Sequence, residues 1–148
     1  MGNANPYENH YAFKKDNIVI IKHQLGMYLR SQWPLNEGTG ADPDGGQNDV
    51  SEFEIDLQNN GNRCRLKHVK AGKYLRIFDG GNAVNIAGNG GKFTVFKIHR
   101  LKEPGKCKLE SVAFPGKYIA VGRQNKVRVG AGGKWCELEF FRKDKDQQ

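Results

Sequence analysis

Methionine is scarce in this sequence, two residues in 148, and no stretch is rich in Ala, Leu and Glu. That excludes a mainly helical chain, since those residues lose least on entering a helix. Nowhere do about 18 apolar residues run together, so no membrane-spanning helix is predicted. The opening Met1 to Tyr11 is polar, and no cleavable leader is expected there. Cysteine is limited to Cys64, Cys107 and Cys136, an odd count with spacings of 43 and 29 residues that matches no zinc pattern. The three are read as free thiols in a reducing compartment, with Cys64 and Cys107 as small apolar residues on strands. His10, His23, His68 and His99 are scattered along the chain, so neither a metal nor another cofactor is expected.

Motifs of catalysis are also missing. There is no Gly-x-Ser-x-Gly elbow, no His-Glu-x-x-His and no P-loop. Gly88-Asn89-Gly90-Gly91 lacks the Lys-Ser/Thr and the helix that a phosphate cradle needs, and is read as a hairpin turn. Asp42 and Asp44 lack a downstream Glu at calcium-loop spacing and are read as a solvated loop. The expectation is a protein that is not an enzyme.

What is present is glycine, 19 residues of it, and a repeating strand pattern. Three short alternating segments open three units: Val19 to His23, Cys64 to His68, and Cys107 to Ser111. Each is followed by a glycine-led signature: Gly26-Met27-Tyr28-Leu29, Gly72-Lys73-Tyr74-Leu75 and Gly116-Lys117-Tyr118-Ile119. Each unit closes on an apolar-x-apolar strand: Phe53-Glu54-Ile55, Phe96-Lys97-Ile98 and Leu138-Glu139-Phe140. The period of two puts Tyr on one face and Leu or Ile on the other. A further strand lies between, plainest in Ala83 to Ile86 and Lys126 to Val129, which predicts about four strands per unit and twelve in all. Glycine clusters at 80–81, 88, 90–91, 130 and 132–133 are read as hairpin turns. Regularly spaced short strands in a threefold count predict an all-β barrel capped by three hairpins. The units run over 17–61, 62–105 and 106–142 of one domain, 1–148, with loose ends at 1–16 and 143–148. The middle of the first unit, Trp33 to Val50, shows no alternating strand and is read as a long acidic loop.

These repeats, over about residues 17–142, resemble the β-trefoil families of fibroblast growth factors, fascins and hisactophilin. The resemblance implies the fold and leaves function open, because trefoils host many activities. The Gln-x-Trp repeat of ricin-type lectins is missing, Gln32-Trp33 occurring once and out of frame. The growth-factor comparison implies a heparin-binding loop at Arg123 to Lys134. The fascin and hisactophilin comparison implies a cytoplasmic actin-binding protein. The start Met1-Gly2-Asn3 also resembles that of hisactophilin, an acylated protein, but Pro6 breaks the acylation pattern.

Charge supplies the functional expectation. Residues 1–50 carry 4 Lys/Arg against 6 Asp/Glu, 51–99 carry 8 against 4, and 100–148 carry 12 against 6. The net +8 therefore belongs to the second and third units. A monomeric binding module is expected, taking a polyanion such as a sulfated glycan, an acidic lipid or an acidic protein surface, through a basic face of those units. The candidate residues are Lys117, Arg123, Asn125, Lys126, Arg128 and Lys134, gripping sulfate or phosphate oxygens by charge-assisted hydrogen bonds. Actin, a secreted growth-factor-like role reached without a leader, and neutral-sugar binding remain the alternatives.

Overall fold

Residues 5–32 and 40–144 are described by the computed structural model. Outside them lie the acylation-like start, Trp33, the Asn36-Glu37-Gly38-Thr39 run and the last four residues. The described residues form β1 (Asn9–His10), β2 (Asn17–Lys22), β3 (Tyr28–Ser31), β4 (Ala41–Gly45), β5 (Phe53–Gln58), β6 (Arg63–His68) and β7 (Tyr74–Phe78). They continue with β8 (Ala83–Gly88), β9 (Phe96–Arg100), β10 (Lys106–Ser111), β11 (Tyr118–Val121), β12 (Val127–Gly130) and β13 (Leu138–Arg142).

Six of these strands close a barrel: β2 pairs with β5, β5 with β6, β6 with β9, β9 with β10, β10 with β13, and β13 returns to β2. Closure leaves the barrel no free edge. The hairpins β3–β4, β7–β8 and β11–β12 cap one end. This is a β-trefoil, as the repeats predict. Alternation explains its interior. Val19, Cys64 and Cys107 are threefold mates, as are Ile21, Leu66 and Leu109, and Leu29, Leu75 and Ile119, and all nine are fully buried. The thiols are free and inside, where burial pushes Cys64 and Cys107 above the ordinary thiol range.

The hairpins add a feature that the strand pattern does not show. Tyr28, Tyr74 and Tyr118 pair with Gly45, Gly88 and Gly130. A Cβ on Gly88 would stand 2.5 Å from Thr94 Cγ2, and one on Gly130 would stand 2.8 Å from Cys136 Sγ. These glycines are therefore close-approach points that end a strand, not hairpin turns. The turn reading holds for Gly80–Gly81 between β7 and β8 and is corrected for 88–91 and 130–133, which lead into short 3-10 turns before β9 and β13.

Two further expectations are corrected. The first unit does contain its third strand, β4, in Ala-Asp-Pro-Asp-Gly. Its composition hides it, because Asp, Pro and Gly are poor strand formers. The β3–β4 ladder carries an extra residue on the β4 side, which accommodates Pro43 where no N–H is available. Residues 5–16 are not a loose end either. Tyr7, Tyr11 and Phe13 are 5%, 3% and 4% exposed, and β1 pairs with β13. Nor are Lys143 and Asp144 loose: their backbone N–H groups donate to Ile18 and Pro6 carbonyls at 2.7 and 2.8 Å.

His23 and His68 occupy matching positions and are structural. Nδ1 of each accepts from a backbone N–H (Leu25 at 3.1 Å, Ala71 at 3.0 Å), so the proton sits on Nε2, which donates to Pro43 or Val50 carbonyl at 2.6 Å. Burial holds both below the usual histidine range, outweighing the carbonyl bond at Nε2, which acts in the opposite direction.

Candidate ligand groove at the plugged end of the barrel

Opposite the hairpins, the barrel end is bounded by the β5–β6 turn, the β9–β10 loop and the start of β2. An open barrel there would expose its apolar lining. Residues Tyr11 to Asp16 cross it and act as a plug. Tyr11 and Phe13 join the core, their rings 5.0 Å apart and Phe13 5.3 Å from Phe140. Tyr11 N–H donates to Phe140 C=O at 3.0 Å, and its hydroxyl donates to Lys15 C=O, which curls the segment back on itself. Asp16 anchors the far side by accepting from Leu57 N–H at 2.8 Å. Phe13 takes a left-handed backbone, φ 58°, uncommon for an aromatic residue. That conformation turns its ring inward while Lys14 and Lys15 face outward and remain exposed.

Around this plug run three adjoining clefts. One, about 690 Å³, lies between Lys14, Lys15 and the amides Gln58, Asn59 and Asn60, with Arg100 at its edge. It shares Phe13 and Arg100 with a second cleft, which reaches Lys102 and Lys106, and Lys14 and Lys15 with a third, which reaches Asn9 and Arg142. The lining cations are Lys14, Lys15, Arg100, Lys102, Lys106 and Arg142, against the carboxylates Asp16 and Glu103. Both carboxylates are engaged, Asp16 as above and Glu103 with Lys106 at 3.3 Å. Among the described residues no carboxylate pairs with Lys14, Lys15, Arg100 or Lys102. Arg100 rests its guanidinium 5.4 Å from the Phe13 ring, which fixes the charge at the rim. Asn59 and Asn60 both adopt left-handed φ, which Asn tolerates, and present their amides at the exposed turn. Cations without counter-charges beside free amides can hold oxyanions and sugar hydroxyls.

The six sequence-predicted residues are arranged differently. Arg123, Asn125 and Lys126 form the tip of the β11–β12 hairpin, and the Arg128 guanidinium lies over Gly122 just beside it. Lys117 and Lys134 flank the base of that hairpin, Lys117 packing its methylenes beside Gly81 of the neighbouring cap hairpin. Asn125 is committed elsewhere: its Nδ2 donates to Asp44 Oδ1 at 2.7 Å. Asn125 and Lys126 share a shallow cleft with Asp42 and Asp44 of β4, so the acidic first unit faces this basic tip. Sequence reasoning missed the plugged-end groove because its cations come from residues 14–15, 100–102 and 142 and no motif connects them. The Lys14-Lys15 pair was visible only as part of a terminus. Among the described residues no three His, Cys, Asp or Glu side chains converge as metal ligands, and no helix is long and apolar enough to cross a membrane.

By sequence the chain matches no family model and no curated protein. Its likeness to solved structures is in the fold. The Rhizoctonia solani agglutinin superposes with a TM-score of 0.69 at 16% identity, over 87% of this chain and 96% of that one. ThreeFoil, a designed threefold-symmetric protein, gives 0.67 at 15%, over 84% and 97%. The Polyporus squamosus lectin, solved with the epitope Neu5Aca2-6Galb1-4GlcNAc, gives 0.62 at 13%, over 90% of this chain and 49% of that one. At such identities the likeness establishes the trefoil and assigns no ligand.

Proposed function

We propose that this chain is a non-enzymatic glycan-binding module whose ligand carries acidic groups, and that the groove around the Tyr11–Asp16 plug is its site. The observation that carries the reading is the set of four cations without carboxylate partners, Lys14, Lys15, Arg100 and Lys102, gathered beside Gln58, Asn59 and Asn60. Gathering like charges at one end of a barrel raises their mutual repulsion, which an anionic ligand relieves. Two of the similar folds are an agglutinin and a lectin, and one of these holds a sialylated oligosaccharide, which supports an acidic sugar over an acidic lipid or protein.

The test is a glycan array followed by salt-graded elution from immobilised heparin. Retention on acidic glycans that weakens as salt rises supports the reading. Lys14→Glu with Lys15→Glu should abolish it, while Arg123→Glu with Lys126→Glu should change it little. The reverse order would move the site to the β11–β12 tip. Pelleting with actin filaments without retention on any glycan would overturn the proposal in favour of an acidic protein partner.

A further inference from the structure

The three clefts meet pairwise around the plug. Lys14 and Lys15 line both the first and the third, Phe13 and Arg100 both the first and the second, and His10, Tyr11 and Ala12 both the second and the third. Lys14 and Lys15 serve the first and third clefts, Arg100 the first and second, Lys102 the second, and Arg142, which also faces Asp144 at 3.7 Å, the third. A terminal acidic sugar would need one cation and a closed pocket. Here several cations are spread over three adjoining clefts. Resting on the acidic-glycan reading, we propose that the ligand is a linear sulfated or uronic-acid polysaccharide lying across these adjoining clefts, bound through several successive anionic units.

The lining also distinguishes this ligand from another linear polyanion. Single-stranded nucleic acid needs exposed rings on which bases stack. Of the aromatic rings lining these clefts, Tyr11 and Phe13 are 3% and 4% exposed and turned into the core, and His10 has one face stacked on Phe141 and its Nε2 held by Glu139. The uncharged polar side chains there are amides, which suit hydroxyls rather than base faces.

The experiment measures the Kd of the full chain for heparin-derived di-, tetra-, hexa- and octasaccharides by calorimetry at one salt concentration. Affinity should rise at least about tenfold from di- to hexasaccharide, as each added unit binds at high effective concentration. The salt dependence should steepen in parallel, since more ions are displaced. Lys102→Gln in the second cleft and Arg142→Gln in the third should each weaken the octasaccharide about threefold or more and the disaccharide by a smaller factor, with thermal midpoints showing that both variants stay folded. Equal affinity for all lengths would overturn the linear-ligand proposal while leaving acidic-sugar binding standing. An oligonucleotide of matched charge that binds as tightly would overturn the polysaccharide assignment. Failure of every oligosaccharide to bind would sink the underlying reading as well.

Discussion

The barrel has three equivalent seams where a closing strand meets the opening strand of a unit, and they differ on their outer face. At β5–β6 the outward pair is Asp56 and Arg65, and at β9–β10 it is His99 and Lys108. At β13–β2 the same position is Phe141 and Ile20. Two seams face water with charge, and the third faces outward with hydrocarbon. Ile20 is nevertheless fully buried, because the N-terminal segment covers it. Tyr7 packs there with Tyr28 and Phe141, and His10 stacks on Phe141 at 4.7 Å. Tyr7 hydroxyl donates to the buried Glu52 carboxylate, which Lys143 also approaches at 2.9 Å. The inside of the trefoil is threefold and the outside is not. The lone apolar seam recruits residues 5–10, and these deliver Lys14 and Lys15 to the end of the barrel.

Making the apolar seam resemble the others should have the largest effect. Ile20→Arg copies what Arg65 and Lys108 do, but under Tyr7 it buries an unpaired charge. A loss of at least about 3 kcal/mol, or failure to fold, is expected in urea denaturation. A variant as stable as the parent would show that the seam tolerates charge. Next, Tyr7→Phe keeps the packing and removes the donor to Glu52. A loss of about 1–2 kcal/mol is expected, with weaker heparin retention because the plug is less firmly held. Unchanged retention would separate the clamp from the groove.

A pH series tests the interior instead. The folded His23 and His68 sit below their unfolded value of about 6.5, so the unfolded chain takes up protons first. Their contribution is complete above that pH, is lost as pH falls through the interval down to the folded values, and then levels off. Denaturation midpoints should therefore drop between about pH 7.5 and about pH 5. Glu110, held down by the Gly116 N–H first and by His99 second, adds a separate loss at lower pH, as protonation proceeds below the ordinary carboxylate range. Midpoints flat above pH 5 or so would contradict the neutral-histidine tautomer. The smallest effect belongs to the charged seam: Arg65→Ala removes a 4.0 Å pair with an exposed Asp56 and should cost less than about 1 kcal/mol.

Much of the fold was legible in advance because burial writes a period into the sequence. Val19, Cys64 and Cys107, or Leu29, Leu75 and Ile119, recur at matching places since each must fill the same layer of one barrel. β4 was illegible for the converse reason: at the cap edge, hydrogen bonds from β3 and the His23 contact to Pro43 hold a strand whose own residues disfavour it. Tyr7, Tyr11 and Phe13 were on view as aromatic residues in a polar stretch, but they have no repeat mates to reveal that they are buried. The predicted cations of the third unit were counted correctly, yet counting did not show that Asn125 bonds Asp44.

By itself the sequence determined the threefold strand order, the interior and the preference for a closed all-β barrel, because these depend on local periodicity repeated at a constant spacing. Only the tertiary structure decided which end of the barrel is plugged and which cations stand together without partners. Lys14 and Arg100 are far apart in the chain and share a groove only because closure brings β2 and β9 to the same rim. Charge proximity is a property of folded distance, and no period along the chain records it.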